Sequence, residues 1–433
     1  MKFTKIQIKD FQQFKDFELD LTYPSGHPKA GKPLEKVCFI GQSGTGKTTI
    51  LELLKAASCG NPPHCSIPKT STIIFSQIVG SSITFKTSFY PDVISQYPYQ
   101  YDIDLPVTHS IEDALAFDQR QDYQVINFPA KFSESDENYL DEFFDRKDYK
   151  LIDFGEVNAE RILRVINSEI QAFQEKTTAH RVKMSKASET LDISQIQRAV
   201  DEFAEWKKNN QSPIDDLADK CLDKILLQFS LRVRREFLFE KKEDIGYVKI
   251  ETLDGVEVPF AFASTGTKQI LLTAAPLYLL QPKDNIILFD EPERSLFPDI
   301  QRKIVNYYAT FTEDCQFFYA THSPIIASSF DPAERFILTF DDNGKVTAKR
   351  GIAPQGDDSN DLLVKDFGQA TSLGIEGEIR FEEFLQLKQK ISKEVDIQEK
   401  AKLITKYMSI GSDYNFGYDL KLMEDEANCQ KHK

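Results

Sequence analysis

A chain of 433 residues, 41% of them hydrophobic and 28% charged, is long enough for two or three packed units and has a globular composition. No apolar run approaches the roughly 18 residues that cross a bilayer. The opening MKFTKIQIKDF alternates like a strand and lacks the apolar core of a signal peptide, so no membrane contact and a cytoplasmic location are expected. A net charge of −15 opposes non-specific attachment to a polyanion. Six cysteines without a C-x-x-C pair encode neither a disulfide framework nor a zinc knuckle, and the adjacent His64 and Cys65 read as a polar loop.

Residues 1–22 read as two strands around a turn at Asp10–Phe14, followed by a loop rich in Gly, Pro and Lys. The strand LEKVCFI ends in Gly41, and the next run places Ile50, Leu51, Leu53 and Leu54 at helical spacing, with Gly60 as a stop. Residues 70–130 mix short β-like runs (TIIFSQIVG, SSITFKTSFY, YQVINFP) with turns, as a strand-rich lobe would. From about 150 to 245 the stretches are long, charged and helix-favouring. The densest basic run there, Arg232, Arg234 and Arg235 with Lys241 and Lys242 beyond, reads as a solvated helix face or, less simply, a nucleic-acid contact. The hairpin VKIETLDGVEVPF turns at Asp254–Gly255. After about 352, EGEIRFEEFLQLKQKIS and DIQEKAKLITKYMSI suit an αα-hairpin.

Three strand-end motifs carry chemistry. Gly41-Gln-Ser-Gly-Thr-Gly-Lys47-Thr48 fits G-x-x-x-x-G-K-[ST] between a strand and a helix. The glycines let successive backbone N–H groups converge on phosphates, and Gly41, Ser43, Gly44, Thr45, Gly46 and Thr49 are assigned to ATP binding. Lys47 would reach the β and γ phosphates and Thr48 would ligate Mg²⁺. In Ile286-Ile-Leu-Phe-Asp290-Glu291 a doubly buried strand ends in two carboxylates. Asp290 is assigned to Mg²⁺ through its water shell and Glu291 to polarising the attacking water. A third apolar strand ends in Thr321-His322, placing an imidazole at the γ-phosphate.

Together with Ser264-Thr-Gly266-Thr-Lys-Gln, this ordered set resembles the ABC ATPase superfamily: Walker A, signature, Walker B, catalytic Glu291 and switch His322. The helical stretch between Walker A and signature, and DEPERSLFP after the Walker B strand, look most like the SMC, RecF and OLD branch. The resemblance implies an α/β P-loop head of mixed and parallel sheet, built from residues 1–145 and 246–350. A helical subdomain, 146–245, is inserted, and a helical region, 351–433, serves partner or oligomer contacts. It implies ATP and Mg²⁺ as cofactors and a homodimer of heads, with higher oligomers. In such a pair Ser264 and Gly266 would meet the partner's nucleotide. STGTKQ departs from LSGGQ at Thr265 and Thr267, Phe297 stands where the branch has histidine, and Gln12 and Gln13 stand where it often has a basic residue. Gln77 and Gln124 both suit the Q-loop.

The insertion is too short for an SMC coiled coil, and the tail offers no Toprim, HNH or cysteine-nucleophile pattern. The resemblance therefore points to the compact ATPases of anti-phage systems, such as those of Septu and PARIS. In that setting an oligomeric switch controls a separate HNH or Toprim nuclease, with DNA or a phage protein as trigger. The alternative is a RecF-like repair ATPase that clamps DNA; a transporter subunit lacks support for want of LSGGQ and a coupling surface.

Overall fold

The computed structural model describes residues 2–59, 73–79, 83–88, 102–104, 125–130, 151–154, 159–235, 248–259, 262–369 and 373–416. The chain divides into two compact units, Met1–Phe367 and Gly368–Lys433.

The first unit is organised by a seven-stranded sheet. Its strands are β3 (Lys36–Gly41), β7 (Val125–Phe128), β8 (Leu151–Asp153), β12 (Ile286–Asp290), β13 (Gln316–Ala320), β14 (Arg335–Phe340) and β15 (Val346–Arg350), in the order β15-β14-β3-β13-β12-β7-β8. All neighbours are parallel except the β14–β15 pair. The C-terminal ends of β3, β12 and β13 therefore share one edge, where Gly41, Asp290 and Ala320 lie. Ligands of open α/β sheets bind at such an edge.

Strand alternation explains why the sheet is buried on both faces. Ile286 and Leu288 join a core with Phe39, Phe318 and Leu53, while Ile287 and Phe289 join another with Phe317, Tyr319 and Phe128. Each such side chain contributes about 1.5–3 kcal/mol when fully buried. The first face is covered by α1 (Lys47–Cys59) and by β1 (Lys2–Phe11) with β2 (Phe14–Asp20). Those two strands pair antiparallel through Phe11↔Phe14, with Gln12 at φ 49° in the turn. They continue into a five-stranded sheet with β4 (Ile73–Val79), β5 (Ile83–Ser88) and β6 (Asp102–Asp104).

The second face carries the helices. α2 (Ala159–Glu189) and α3 (Ile193–Asn209) form an antiparallel pair, joined by a turn in which Asp192 caps Ser194. α4 (Thr265–Leu280) is apolar on nearly every side and buried along most of its length, and α5 (Pro298–Ala309) follows β12. α6 (Ser359–Lys365) closes the unit. β9 (Leu231–Val233), β10 (Ile250–Thr252) and β11 (Glu257–Val258) make a small antiparallel sheet. The β10–β11 turn needs a positive φ only at Gly255, which adopts 89°.

Composition misleads at three places. The run containing β7 belongs to the central sheet, not to a separate strand-rich lobe, because Val125–Phe128 is buried and pairs with β12. β8, inside the stretch whose composition favours helix, extends the same sheet. Arg232 lies on strand β9 and not on a helix face. Short strands enclosed by charged helices leave little periodic signal of their own.

The second unit is an αα-hairpin of α7 (Ile375–Lys393) and α8 (Ile397–Asp413). Phe384, Leu387 and Ile391 face Ile404, Tyr407 and Ile410, with the Phe384 and Tyr407 rings stacked at 4.0 Å. Asp396 caps α8 through the N–H groups of Gln398 and Glu399. Among the described residues no helix is long and apolar enough to cross a membrane. His64 and Cys65 lie outside the described residues.

Candidate functional site

The loop between β3 and α1 is shaped by glycines for two reasons. Gly41 (φ 140°) runs so close to β14 that a Cβ would stand 2.1 Å from the Leu338 carbonyl oxygen. Gly44 and Gly46 adopt φ values of 84° and 86°, which L side chains rarely take. At Gly46 a Cβ would meet the Phe14 ring at 2.5 Å, so the β1–β2 turn seats directly on the loop. Gln13 pins it there by donating Nε2–H to the Gly44 carbonyl at 3.1 Å. The buried Thr45 donates its hydroxyl to Gln42 O at 2.8 Å, whereas Ser43 is exposed and Thr49 half-buried.

Lys47 folds into its own loop, donating to Gly41 O at 2.9 Å and Gln42 O at 3.1 Å. Burial lowers its pKa, although Glu291, Asp290 and Glu293 all favour the charge. One residue on, the Thr48 hydroxyl donates to the Asp290 carboxylate, with oxygens at 3.0 and 3.1 Å. Burial pushes Asp290 up to about 6, against the Thr48 hydrogen bond and with help from Glu291 and Glu52. Next to this corner, Lys55 bridges Glu52 (2.6 Å) and the buried Asp153 (2.9 Å), and Asn127 donates to Asp153. This chain of contacts ties α1 to β7 and β8.

Glu291 adopts φ 47°, a strained conformation for a residue with a side chain, and donates its N–H to Ala320 O at the end of β13. His322 follows that strand, and its Nε2 lies 3.9 Å from Glu291 Oε1. Burial, seconded by Lys47, lowers the His322 pKa and keeps the imidazole neutral near neutral pH. A third carboxylate, not anticipated as a site residue, organises this end. Glu293 Oε1 accepts from the Thr321 hydroxyl at 2.6 Å and from the His322 N–H at 2.9 Å. Its only sequence signal is the third acid of DEPE.

Lys47, Thr48, Asp290, Glu291 and His322 are thus brought to one sheet edge. The signature residues make their contacts elsewhere. Ser264 caps α4, its exposed hydroxyl accepting from Thr267 N at 3.1 Å and lying 2.8 Å from the Thr267 hydroxyl. Thr267, a departure from the usual signature, therefore holds the serine in place. Gly266 is buried, and a Cβ there would stand 2.5 Å from Ser295 O in the turn after Glu291. Phe297 is exposed at the start of α5.

Of the Q-loop alternatives, Gln77 sits on β4 in the antiparallel sheet. Gln124 lies outside the described residues, directly before Val125, which pairs with Ile286 at the start of β12. The end of β7 nearer Asp290 carries Asn127 and Phe128 instead, followed by Ala130, whose carbonyl accepts from Arg294 at 3.2 Å.

The three arginines of the basic run are neutralised locally. Arg232 pairs with Glu251 at 2.7 Å, Arg234 with Glu257 at 2.8 Å, and Arg235 with Asp219 at 2.5 Å and Asp223 at 3.0 Å. Lys241 and Lys242 lie outside the described residues.

Comparison with known proteins gives the following. An Smc head bound to the C-terminal winged-helix domain of ScpA is 13% identical, with a TM-score of 0.43 over 81% of this chain and 97% of that one. An Smc head with an extended coiled coil bound to ScpA, derived from Pyrococcus furiosus, is 12% identical, with a TM-score of 0.42 and 80% and 96% covered. The SMC head domain from Thermotoga maritima is 14% identical, with a TM-score of 0.40 and 82% and 100% covered. No curated protein matches. A family model described as "AAA domain, putative AbiEii toxin, Type IV TA system" matches residues 36–328, from β3 through the turn after His322, and the chain belongs to that AAA ATPase family.

Proposed function

We propose that the chain binds and hydrolyses ATP with Mg²⁺, that a second copy closes each nucleotide site, and that the pair acts as a switch in bacterial anti-phage defence. The carrying observation is convergence. Thr48 and Asp290, separated by 242 positions, stand 3.0 Å apart, with Lys47 beside them and the Glu291–His322 pair at the same sheet edge.

The donor set fits magnesium and a triphosphate. Thr48 and Asp290 offer hard oxygen ligands, and the raised Asp290 pKa marks a carboxylate held where an opposing positive charge would relieve it. Lys47 already directs its ammonium into the loop, bound among the described residues to carbonyls that it can exchange for phosphate oxygens. Among the described residues nothing lies within 4 Å of where a Gly44 Cβ would stand, which leaves room there for a ligand. Magnesium-bound ATP supplies the electrophilic γ-phosphorus and charge neutralisation along the phosphates.

Glu291 is positioned to orient the attacking water and accept its proton at Oε1, and neutral His322 to hydrogen-bond beside it. The exposed Ser264 caps a 16-residue helix whose N-terminal potential suits an anion brought by a second subunit. Ser264 is assigned that direct trans contact, and Gly266 the close packing that keeps the helix end in place. ATP binding would shift the population between open and paired heads, with hydrolysis as the timer. The αα-hairpin of residues 375–413 is the proposed partner or oligomer contact, and a separate HNH or Toprim nuclease the effector. DNA or a phage protein is the proposed trigger. The family description, naming a toxin of a Type IV TA system, supports a defence setting.

The test uses Glu291→Gln protein with and without ATP. Light scattering should show an ATP-dependent gain in mass, and a nuclease captured with the chain should be retained or released with nucleotide. No change in either rejects the switch. The DNA-clamping alternative would draw on Arg232, Arg234 and Arg235, and their pairing with carboxylates weighs against it.

A further inference from the structure

We infer that Glu293 is a positioning residue that sets His322 against Glu291. The inference rests on the ATPase reading of the same site. One oxygen of Glu293 receives both the Thr321 hydroxyl (2.6 Å) and the His322 N–H (2.9 Å). These bonds grip the backbone at the point where β13 ends and the chain turns outward. The Thr321 N–H meanwhile bonds to Phe39 O on β3, and Ser323 N–H bonds to the Thr321 hydroxyl. Backbone on both sides of His322 is therefore fixed, whereas the His322 ring itself is exposed and lies 3.9 Å from Glu291. A ring on a loose backbone would sample many positions, and Glu293 narrows them.

The turn holding Glu293 is itself rigid: Arg294 N–H bonds to Glu291 O and Leu296 N–H to Glu293 O. Glu291 and Glu293 thus belong to one short braced segment, so the same turn places the catalytic carboxylate and grips its histidine partner. Glu293 Oε2 is sealed from solvent and takes no hydrogen bond among the described residues. A carboxamide supplies the same acceptor, so Gln at this position should retain the grip and Ala should lose it.

The experiment compares Glu293→Ala and Glu293→Gln in the full chain. The protein has six histidines. With carbon-13-labelled histidine the His322 ring signal is assigned by its loss in His322→Gln. In Glu293→Ala this signal should shift and broaden, and in Glu293→Gln it should return to its native position. The kcat of Glu293→Ala should fall about 10- to 100-fold with KM within about twofold, and Gln should recover most of the loss. An unmoved His322 signal in Glu293→Ala overturns the inference, as does a Gln variant that behaves like Ala. If Glu293→Ala does not fold, Thr321→Val removes one of the two donors and carries the same comparison. Native protein without turnover but with the predicted signal changes would sink the ATPase reading and leave the positioning role standing.

Discussion

Asp290→Asn should make the protein more stable and less able to use Mg²⁺. The carboxylate sits at a buried strand end beside Glu291 and Glu52, and its pKa is raised from 3.8 to about 6. That rise corresponds to about 3 kcal/mol against the ionised form. The sign follows from proton counting. Between pH 3.8 and about 6 the folded state binds more protons at this site than the unfolded state. Stability therefore falls as pH rises through that window, and the full cost remains above it. Asn cannot ionise, yet its carbonyl can still accept from Thr48. At about pH 7.5 the variant should melt about 2–4 °C higher than native protein, with the gap closing towards about pH 4. Saturating Mg·ATP should reverse the order, because a ligand at about 1,000 times its Kd adds about 4.1 kcal/mol to native protein alone, more than the cost of the ionised carboxylate. Differential scanning calorimetry across pH, with and without Mg·ATP, reads both effects. A variant that melts lower at pH 7.5, or a gap independent of pH, would refute the reasoning.

Glu291→Gln should retain ATP while turnover drops about 100-fold or more, the loss expected when a positioned base is removed; turnover at the native rate would remove Glu291 from the mechanism. Lys47→Ala should abolish binding of a fluorescent ATP analogue, since no other ammonium enters the loop among the described contacts. Gly266→Ala places a methyl 2.5 Å from Ser295 O, and should lower both melting temperature and turnover while leaving nucleotide binding on the Walker A side intact. Arg335 and Asp366 form a fully buried ion pair at 3.0 Å, so Arg335→Met should cost about 3–5 kcal/mol in denaturant unfolding by stranding the carboxylate. Replacing Arg232, Arg234 and Arg235 by Glu should leave DNA retention and its salt slope unchanged, because their charges are already matched; a marked flattening of the slope would restore the DNA-clamping alternative.

Much of the site was legible because its chemistry is written locally. A glycine loop between strand and helix, two acids at the end of IILF, and a histidine after FFYA each state a strand end and its cargo within ten residues. Glu293 was not legible, since nothing within DEPE distinguishes a solvated acid from one that grips a strand end 28 residues on. Gln13 was equally silent: its contact with Gly44 arises only because the β1–β2 turn folds back over the loop. The arginine run read as an open choice between solvated face and nucleic-acid contact, and its carboxylate partners lie as far as 23 positions away.

What the sequence by itself determined is therefore the α/β character, the strand-ending motifs and the hairpin of helices near the C-terminus, all set by patterns shorter than one element. Only the tertiary structure decided that β7 and β8 extend the central sheet, that Gly41 and Gly266 are glycines because backbone passes within contact distance, and that Arg232, Arg234 and Arg235 are paired with carboxylates. These outcomes depend on strand order and long-range closure. Period and composition report which face of an element is buried, but not which distant segment covers it.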